Sequence, residues 1–236
     1  MKDKIKHIFF DLDHTLWDFD RNSALAFEII FKDKFPKINI QDFIKVYMPI
    51  NQECWRLYQI DQISHVDLKY NRLKHSFDAI GASISNDEID DVSDRYLELL
   101  PENNHLFEGT IEILDYLKND YKLHIITNGF AEVQNRKIKN SGLHQYFQTI
   151  TNSEMAGAKK PNATIFETAL KVANAEKHNS IMIGDSWEAD VMGAINFGLQ
   201  AIYFNPEKVF RAKENQTDFK NDPVEIYHLR EIMTFL

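Results

Sequence analysis

Two carboxylates stand two residues apart in Asp11-Leu12-Asp13-His14-Thr15-Leu16-Trp17-Asp18, directly after the apolar run Ile5-Lys6-His7-Ile8-Phe9-Phe10. A short apolar run bounded by polar residues reads as a buried strand. Asp11 and Asp13 therefore sit at its carboxyl end, where the chain turns out of a sheet. Like charges held this close repel. A divalent cation would relieve the repulsion, and a hard cation takes oxygen ligands. One carboxylate could then attack an electrophile while the other moves protons. Taken alone, the same residues also read as a solvated acidic turn.

Three further segments carry chemistry. In Ile125-Ile126-Thr127-Asn128-Gly129, again at a strand end, Thr127 supplies a hydroxyl and Gly129 lets the backbone turn so that amides face outward. Hydroxyl plus amides can bind phosphate, although a Thr cap on a strand-to-helix turn has the same look. In Lys159-Lys160-Pro161-Asn162 a lysine just ahead of a helix start brings a fixed positive charge to a pocket. A charge pair near 4 Å at an effective dielectric of about 20 is worth roughly 4 kcal/mol. A pair of surface lysines is the plainer reading. In Ile181-Met182-Ile183-Gly184-Asp185-Ser186-Trp187-Glu188-Ala189-Asp190, Asp185 ends a buried strand behind a glycine that allows close packing. Asp190 falls at a helix start, able to cap it or to support a metal-bound water.

The elements that must position these residues follow from periodicity. Strands are predicted at Ile5–Phe10, Leu123–Thr127, Phe147–Thr151, Ser180–Gly184 and Ala201–Phe204. Helices are predicted at Thr110–Lys118, Ala131–Ser141, Pro161–Ala173 and Asp190–Phe197, with Pro161 opening the third. This alternation predicts a doubly wound α/β fold, a parallel sheet of about five strands with helices on both faces. The stretch between the first two strands is too long for one crossover and carries only helical patterns, at Ser23–Phe35, Gln41–Gln59, His65–Ile80 and Asn86–Leu100. In the third, Val66, Tyr70, Leu73, Phe77 and Ile80 draw an apolar stripe; Ser85-x-x-Glu88 is a capping box opening the fourth. An inserted helical bundle, residues 18–104, within an α/β domain of residues 1–17 and 105–236 is the expected organisation. Lys208–Pro223 is polar and is read as loop-rich.

Composition narrows the classes. The 236 residues are 44% hydrophobic, enough for a real core. A net charge of −9 argues against a nucleic-acid polymer as the main partner, because neutralising phosphates takes clustered Lys and Arg. A small phosphate ester in a locally positive pocket remains open. Cys54 is the only cysteine, so neither an intrachain disulfide nor a thiolate metal cluster is expected; beside Trp55, Leu57 and Tyr58 it reads as a packed small side chain. No run reaches transmembrane length and the N-terminal run is too short for a signal peptide, which predicts a cytoplasmic protein without membrane partners.

Together, in this order, the four segments resemble the four motifs of the haloacid dehalogenase-like hydrolase superfamily, over nearly the whole chain. The insert is similar to the family's helical cap. The resemblance implies a sheet order with the first strand between the second and the fourth, a switch point where ligands bind. It implies Mg²⁺ as cofactor and phosphate-ester chemistry on a small phosphorylated metabolite. Asp11 matches the nucleophile that forms an aspartyl-phosphate. Asp13 matches the general acid/base, with a backbone carbonyl on the metal. Thr127 and Asn128 match the phosphate-binding hydroxyl and amide. Lys160 matches the motif lysine, with Lys159 as the fallback. Asp11, Asp13 and Asp185 match the metal-binding positions, and Asp190 a second acidic residue near the metal. Asp at position 13 favours ester hydrolysis, since a leaving alcohol can be protonated there. The Trp17-Asp18 continuation and the Gly-Asp-Ser-Trp-x-Ala-Asp string are similar to the bacterial pyrimidine 5′-nucleotidase branch. In the insert, Asn51, Trp55 and Arg72 offer an amide, an aromatic face and a cation that could read a nucleobase. A sugar phosphomutase of the same superfamily and a non-catalytic binding module are the rival expectations.

Overall fold

β1 (His7–Phe10) is buried along its whole length, as its unbroken apolar character requires of a strand covered on both faces. The structure, a computed structural model, describes residues 4–210 and 223–236. After β1 come four helices, α1 (Phe19–Lys34), α2 (Ile40–Gln59), α3 (His65–Ala79) and α4 (Asn86–Leu99). The chain then alternates through α5 (Thr110–Leu117), β2 (Lys122–Thr127), α6 (Ala131–Asn140), β3 (Phe147–Asn152), the single turn α7 (Ser153–Ala156), α8 (Ala163–Ala173) and β4 (Ser180–Gly184). A π-helical stretch at Trp187–Met192 runs into α9 (Gly193–Phe197), followed by β5 (Gln200–Phe204) and β6 (Val224–Ile226). Two compact units result: Met1–Asp18 with Leu106–Leu236, and Phe19–His105.

In the first unit all strands pair in parallel, in the order β3-β2-β1-β4-β5-β6. Phe10 lies opposite Ile125 of β2 and Ile183 of β4. The chain therefore leaves β1, β2 and β4 at one end of the sheet, at the point where strand order reverses, which is where α/β folds bind ligands. The sheet has one strand more than expected. β6 has three residues, Val-Glu-Ile, too few to show a pattern; pairing with β5 and the bond from Asn205 N–H to the Ile226 carbonyl at 2.8 Å hold it. Of the polar stretch Lys208–Pro223, residues 211–222 lie outside the described residues.

α8 begins after Pro161, not at it. Asn162 caps it, its side chain accepting from Thr164 N–H at 2.9 Å, which leaves Pro161 just outside the first turn. Position 190 is not a helix start either. Ser186 caps the π-helical stretch, and Asp190 lies within it. Among the described residues no helix is long and apolar enough to cross a membrane.

The helical unit packs around aromatic rings. Phe27 meets Tyr47 at 4.6 Å and Tyr96 at 4.5 Å between ring centroids, and Phe43 meets Phe77 at 4.9 Å. Fully burying each such side chain contributes roughly 1.5–3 kcal/mol. Capping boxes at Ser64/Asp67 and Ser85/Glu88 start α3 and α4. The stripe expected on α3 is only half right. Leu73 and Phe77 are buried, but Val66 is 72% exposed and the inward face runs through Leu68 and Arg72. A charged residue at a core position hid that face from the hydrophobic pattern. Cys54 is buried, as expected of a packed side chain, and burial raises its thiol pKa.

Candidate active site

Asp11 extends the β1–β4 ladder by one bond, its N–H donating to the Ile183 carbonyl at 2.9 Å. Its carboxylate is thereby aimed from the end of the sheet. The next turn is tightly held: Leu16 and Trp17 N–H groups both donate to the Leu12 carbonyl at 2.9 Å, and Phe107 N–H donates to the Leu16 carbonyl at 3.0 Å. His14 within it has φ of 60°, a left-handed conformation that a non-glycine residue adopts only under tertiary constraint. Thr15, next in the turn, donates its hydroxyl to Asp185 Oδ1 at 2.7 Å, tying the end of β1 to the end of β4.

Oxygen atoms of Asp11, Asp185 and Asp190 lie within 4.8 Å of one another. Gly184 makes this possible, since a Cβ there would overlap the Asp190 carboxylate. Asp190 Oδ2 accepts from Ser186 N–H at 3.0 Å, which fixes its rotamer. Burial first, then the neighbouring Asp190 and Asp13 charges, push the Asp11 carboxyl up to about 7 against the pull of Lys160. Burial likewise raises Asp185 to about 6, and raises Asp190.

Lys160 is 1% exposed. Its Nζ lies 2.9 Å from Asp11 Oδ1 and 2.6 Å from Asp190 Oδ1, and donates to the Ile126 carbonyl at 2.8 Å. Burial alone would lower its pKa, but Asp11 and Asp190 more than offset that and raise it. Asn128 places this lysine. Its side chain accepts from Lys160 N–H at 2.8 Å and donates to the Lys160 carbonyl at 3.0 Å. The Asn128 side chain is thus committed to Lys160, and what it can offer an anion is its backbone. Lys159 is only half-buried, so of the two lysines Lys160 is the one brought to the carboxylates.

Asp13 faces a different set of groups. Its Oδ1 accepts from Lys137 Nζ at 2.7 Å and its Oδ2 from Gln134 Nε2 at 2.9 Å. Gln134 also donates to Thr127 Oγ1 at 2.7 Å, and Gly129 N–H donates to the same oxygen at 3.1 Å. With two N–H groups directed at it, Thr127 has its own hydroxyl proton left to give. Gly129 is needed here for clearance, not for an unusual backbone angle: a Cβ would meet Gln134 at 2.5 Å.

Sequence reasoning missed Lys137, Gln134 and Thr15. The signal for the first two was available. Gln134 and Lys137 are spaced i, i+3 with Ile138 beside them, so one face of α6 carries polar residues into the fold. The three residues expected to read a substrate from the helical unit sit differently from one another. Asn51 and Arg72 are buried among its helices, joined at 3.3 Å, with Arg72 over the Tyr96 ring at 5.1 Å. Trp55 is half-buried and packs edge-on against Tyr58 at 5.7 Å.

The donor set suits a hard divalent cation. Three carboxylates converge beside one ammonium group, that of Lys160, and burial raises all three, as expected of acids short of compensating positive charge.

The chain is 30% identical over 233 residues to pyrimidine 5′-nucleotidase PynA of Streptococcus pneumoniae, covering 98% of this chain and 94% of that protein. It is 31% identical over 199 residues to pyrimidine 5′-nucleotidase YjjG of Escherichia coli, covering 84% and 85% respectively. The crystal structure of the putative HAD-hydrolase YfnB of Bacillus subtilis, bound to magnesium, superposes with a TM-score of 0.85 at 25% identity over 99% of both chains. With the model for haloacid dehalogenase-like hydrolases matching residues 8–204, from β1 to the end of β5, the chain belongs to that family.

Proposed function

We propose that this protein is a Mg²⁺-dependent phosphomonoesterase that works through an aspartyl-phosphate on Asp11, with pyrimidine nucleoside 5′-monophosphates as its substrate class. The observation that carries the reading is that the two carboxylates of one turn have different partners: Asp11 lies on Lys160, at 2.9 Å, and Asp13 on Lys137, at 2.7 Å. Two carboxylates in different surroundings suit two different jobs.

Asp11 attacks phosphorus in line with the ester oxygen. The ester P–O bond breaks, and Asp13, entering this step as the carboxylic acid, gives its proton to the leaving oxygen. A water then attacks the phosphorus of phospho-Asp11, giving its proton to Asp13; the bond to Asp11 breaks and inorganic phosphate leaves. Lys160 holds the Asp11 carboxylate and adds positive charge where the phosphoryl oxygens gather. The Thr127 hydroxyl and the Asn128 backbone N–H address those oxygens. Asp11, Asp185 and Asp190 would hold Mg²⁺, with the Asp13 backbone carbonyl. Bound there, the ion supplies charge neutralisation for the phosphate. These groups touch only what every phosphomonoester shares. Choice among esters is assigned to the helical unit 19–105, which resembles the family's cap; of its three candidates Trp55 is half-buried, while Asn51 and Arg72 are buried among its helices. The names of the two nucleotidase relatives support the substrate class.

The test is phosphate release from a panel of nucleotides and sugar phosphates, with EDTA and with Mg²⁺ restored. Pyrimidine 5′-monophosphates should rank among the best substrates, and EDTA should abolish release until Mg²⁺ returns. Undiminished hydrolysis after exhaustive chelation sinks the metal assignment. Isomerisation of sugar phosphates with little release would make the protein a mutase.

A further inference from the structure

Lys137 and Gln134 lie on α6, outside the four motif segments, yet they are 2% and 1% exposed and both touch Asp13. We propose that they are positioning residues for Asp13, gripping its carboxylate from two sides and linking it to the phosphate-binding Thr127. The inference rests on the role of Asp13 given above and deepens it.

Five observations converge. A buried ammonium is tolerated only when it is paired, and Lys137 is paired with the Asp13 carboxylate at 2.7 Å. Lys137 Nζ also lies 4.2 Å from the centre of the Trp17 ring, so the cation is held by a π face as well as by a carboxylate. Trp17 itself is anchored by the turn that carries Asp13, through its N–H bond to the Leu12 carbonyl at 2.9 Å. The Gln134 amide is turned so that Nε2 reaches Asp13 Oδ2 at 2.9 Å and Thr127 Oγ1 at 2.7 Å, while its Oε1 is buried with no hydrogen-bond partner among the described residues. An amide that leaves its acceptor unsatisfied is oriented by what its donor must reach. The backbone at Gly129 is cleared to admit it.

The consequence is geometric. General acid–base help requires the carboxylate within hydrogen-bond reach of the leaving oxygen and then of the water. A misplacement of about 1 Å costs on the order of 10²-fold. Donors one helical turn apart, on a helix that starts directly behind the Thr127–Gly129 loop, hold Asp13 in register with the phosphate.

A double-mutant cycle on the full-length protein with Mg²⁺ and p-nitrophenyl phosphate decides the matter. Lys137→Met in the wild-type background should lower kcat by about 10- to 10²-fold with KM within about 2-fold. In the Asp13→Asn background the same substitution should change kcat by less than about 2-fold, because it acts through a group already disabled. Lys137→Arg, which keeps the cation, should recover most of the loss, and it carries the test if Lys137→Met does not fold. Gln134→Leu should show the same dependence on Asp13. Equal losses in both backgrounds, or no loss in the wild type, overturn the inference while leaving the phosphatase reading intact. An Asp13→Asn variant with full turnover overturns the acid–base role of Asp13 and the inference with it, again leaving a phosphatase; a wild-type protein that hydrolyses no phosphate ester overturns both.

Discussion

In the α/β unit the buried Lys160 lies within 2.9 Å of two carboxylates, whereas in the helical unit the buried Arg72 has an aromatic ring at 5.1 Å and a single amide oxygen at 3.3 Å. Arg72 Nε and Nη2 have no hydrogen-bond partner among the described residues. The two cations are equally removed from water, and they teach different things. Lys160 belongs to a constellation in which carboxylates and an ammonium group hold one another in place, an arrangement that fits the proposed cation and phosphate. Arg72 is held by packing and a π face, at a cost of roughly 1–3 kcal/mol for its unsatisfied N–H groups. The first is a charge kept for chemistry at the sheet end; the second is a charge the bundle tolerates.

The strongest way to break the contrast is to remove the carboxylate at its centre. Asp11→Asn should abolish turnover, by about 10⁴-fold or more, and leave no phosphoenzyme after acid quench. Near wild-type activity in that variant ends the covalent mechanism. Next in size, Lys160→Ala should lower kcat by about 10²–10³-fold, as expected for losing a fixed charge at the transferring group. Lys159→Ala should stay close to wild type, and steady-state kinetics showing equal effects would refute the register.

A third test uses another buried pair in the α/β unit. His7 Nδ1 lies 3.0 Å from His124 Nε2, and His124 Nδ1 lies 2.8 Å from the Thr149 hydroxyl. Burial, then the charges of His7 and Lys122, lower His124 to about 4 from its ordinary 6.5. Between those values the unfolded chain binds the extra proton, so stability is full above pH 6.5 and is lost as pH falls towards 4. At about 1.4 kcal/mol per unit, the loss from pH 7 to pH 5 is about 2 kcal/mol. Asp11 and Asp185, raised to about 7 and about 6, act in the opposite sense over the same range. The difference between wild type and His124→Gln in urea unfolding isolates the histidine; an unchanged pH slope refutes it.

The smallest effect sharpens the reading of the bundle. Arg72→Met should leave stability unchanged or raise it by about 1 kcal/mol, because a buried cation with no carboxylate partner among the described residues contributes little that a methionine of similar length does not. If Arg72 reads the substrate, the same variant raises KM for nucleotides with little change for p-nitrophenyl phosphate. A loss of several kcal/mol in thermal unfolding would mean that Arg72 is a keystone of the bundle.

Much of the fold was legible because strand and helix periods are local. Ser180–Gly184 was read residue for residue, and β1, β2, β3 and β5 within two residues at either end. β6 was not legible, since three residues carry no period and its place comes from pairing with β5. The inward face of α3 was misread because Arg72 occupies a core position that hydrophobicity assigns to solvent. The π-helical stretch that carries Asp190 leaves no local signature distinct from an ordinary helix start.

For the candidate site, the sequence alone determined which residue types stand at which strand ends. Asp11, Thr127 and Asp185 follow from hydrophobic runs that stop at polar residues, and Lys159 or Lys160 from the proline and helix start behind them, properties of the chain read in order. Tertiary structure decided which of them face one another. It set Lys160 rather than Lys159 against Asp11, because the Asn128 side chain grips Lys160 on both sides of its backbone. It brought Asp190 beside Asp11 and Asp185, because Gly184 leaves room for its carboxylate. It turned Asp13 towards Lys137 and Gln134, 124 and 121 positions away in the chain. Such pairings depend on strand order and side-chain direction across the sheet, which no local pattern encodes.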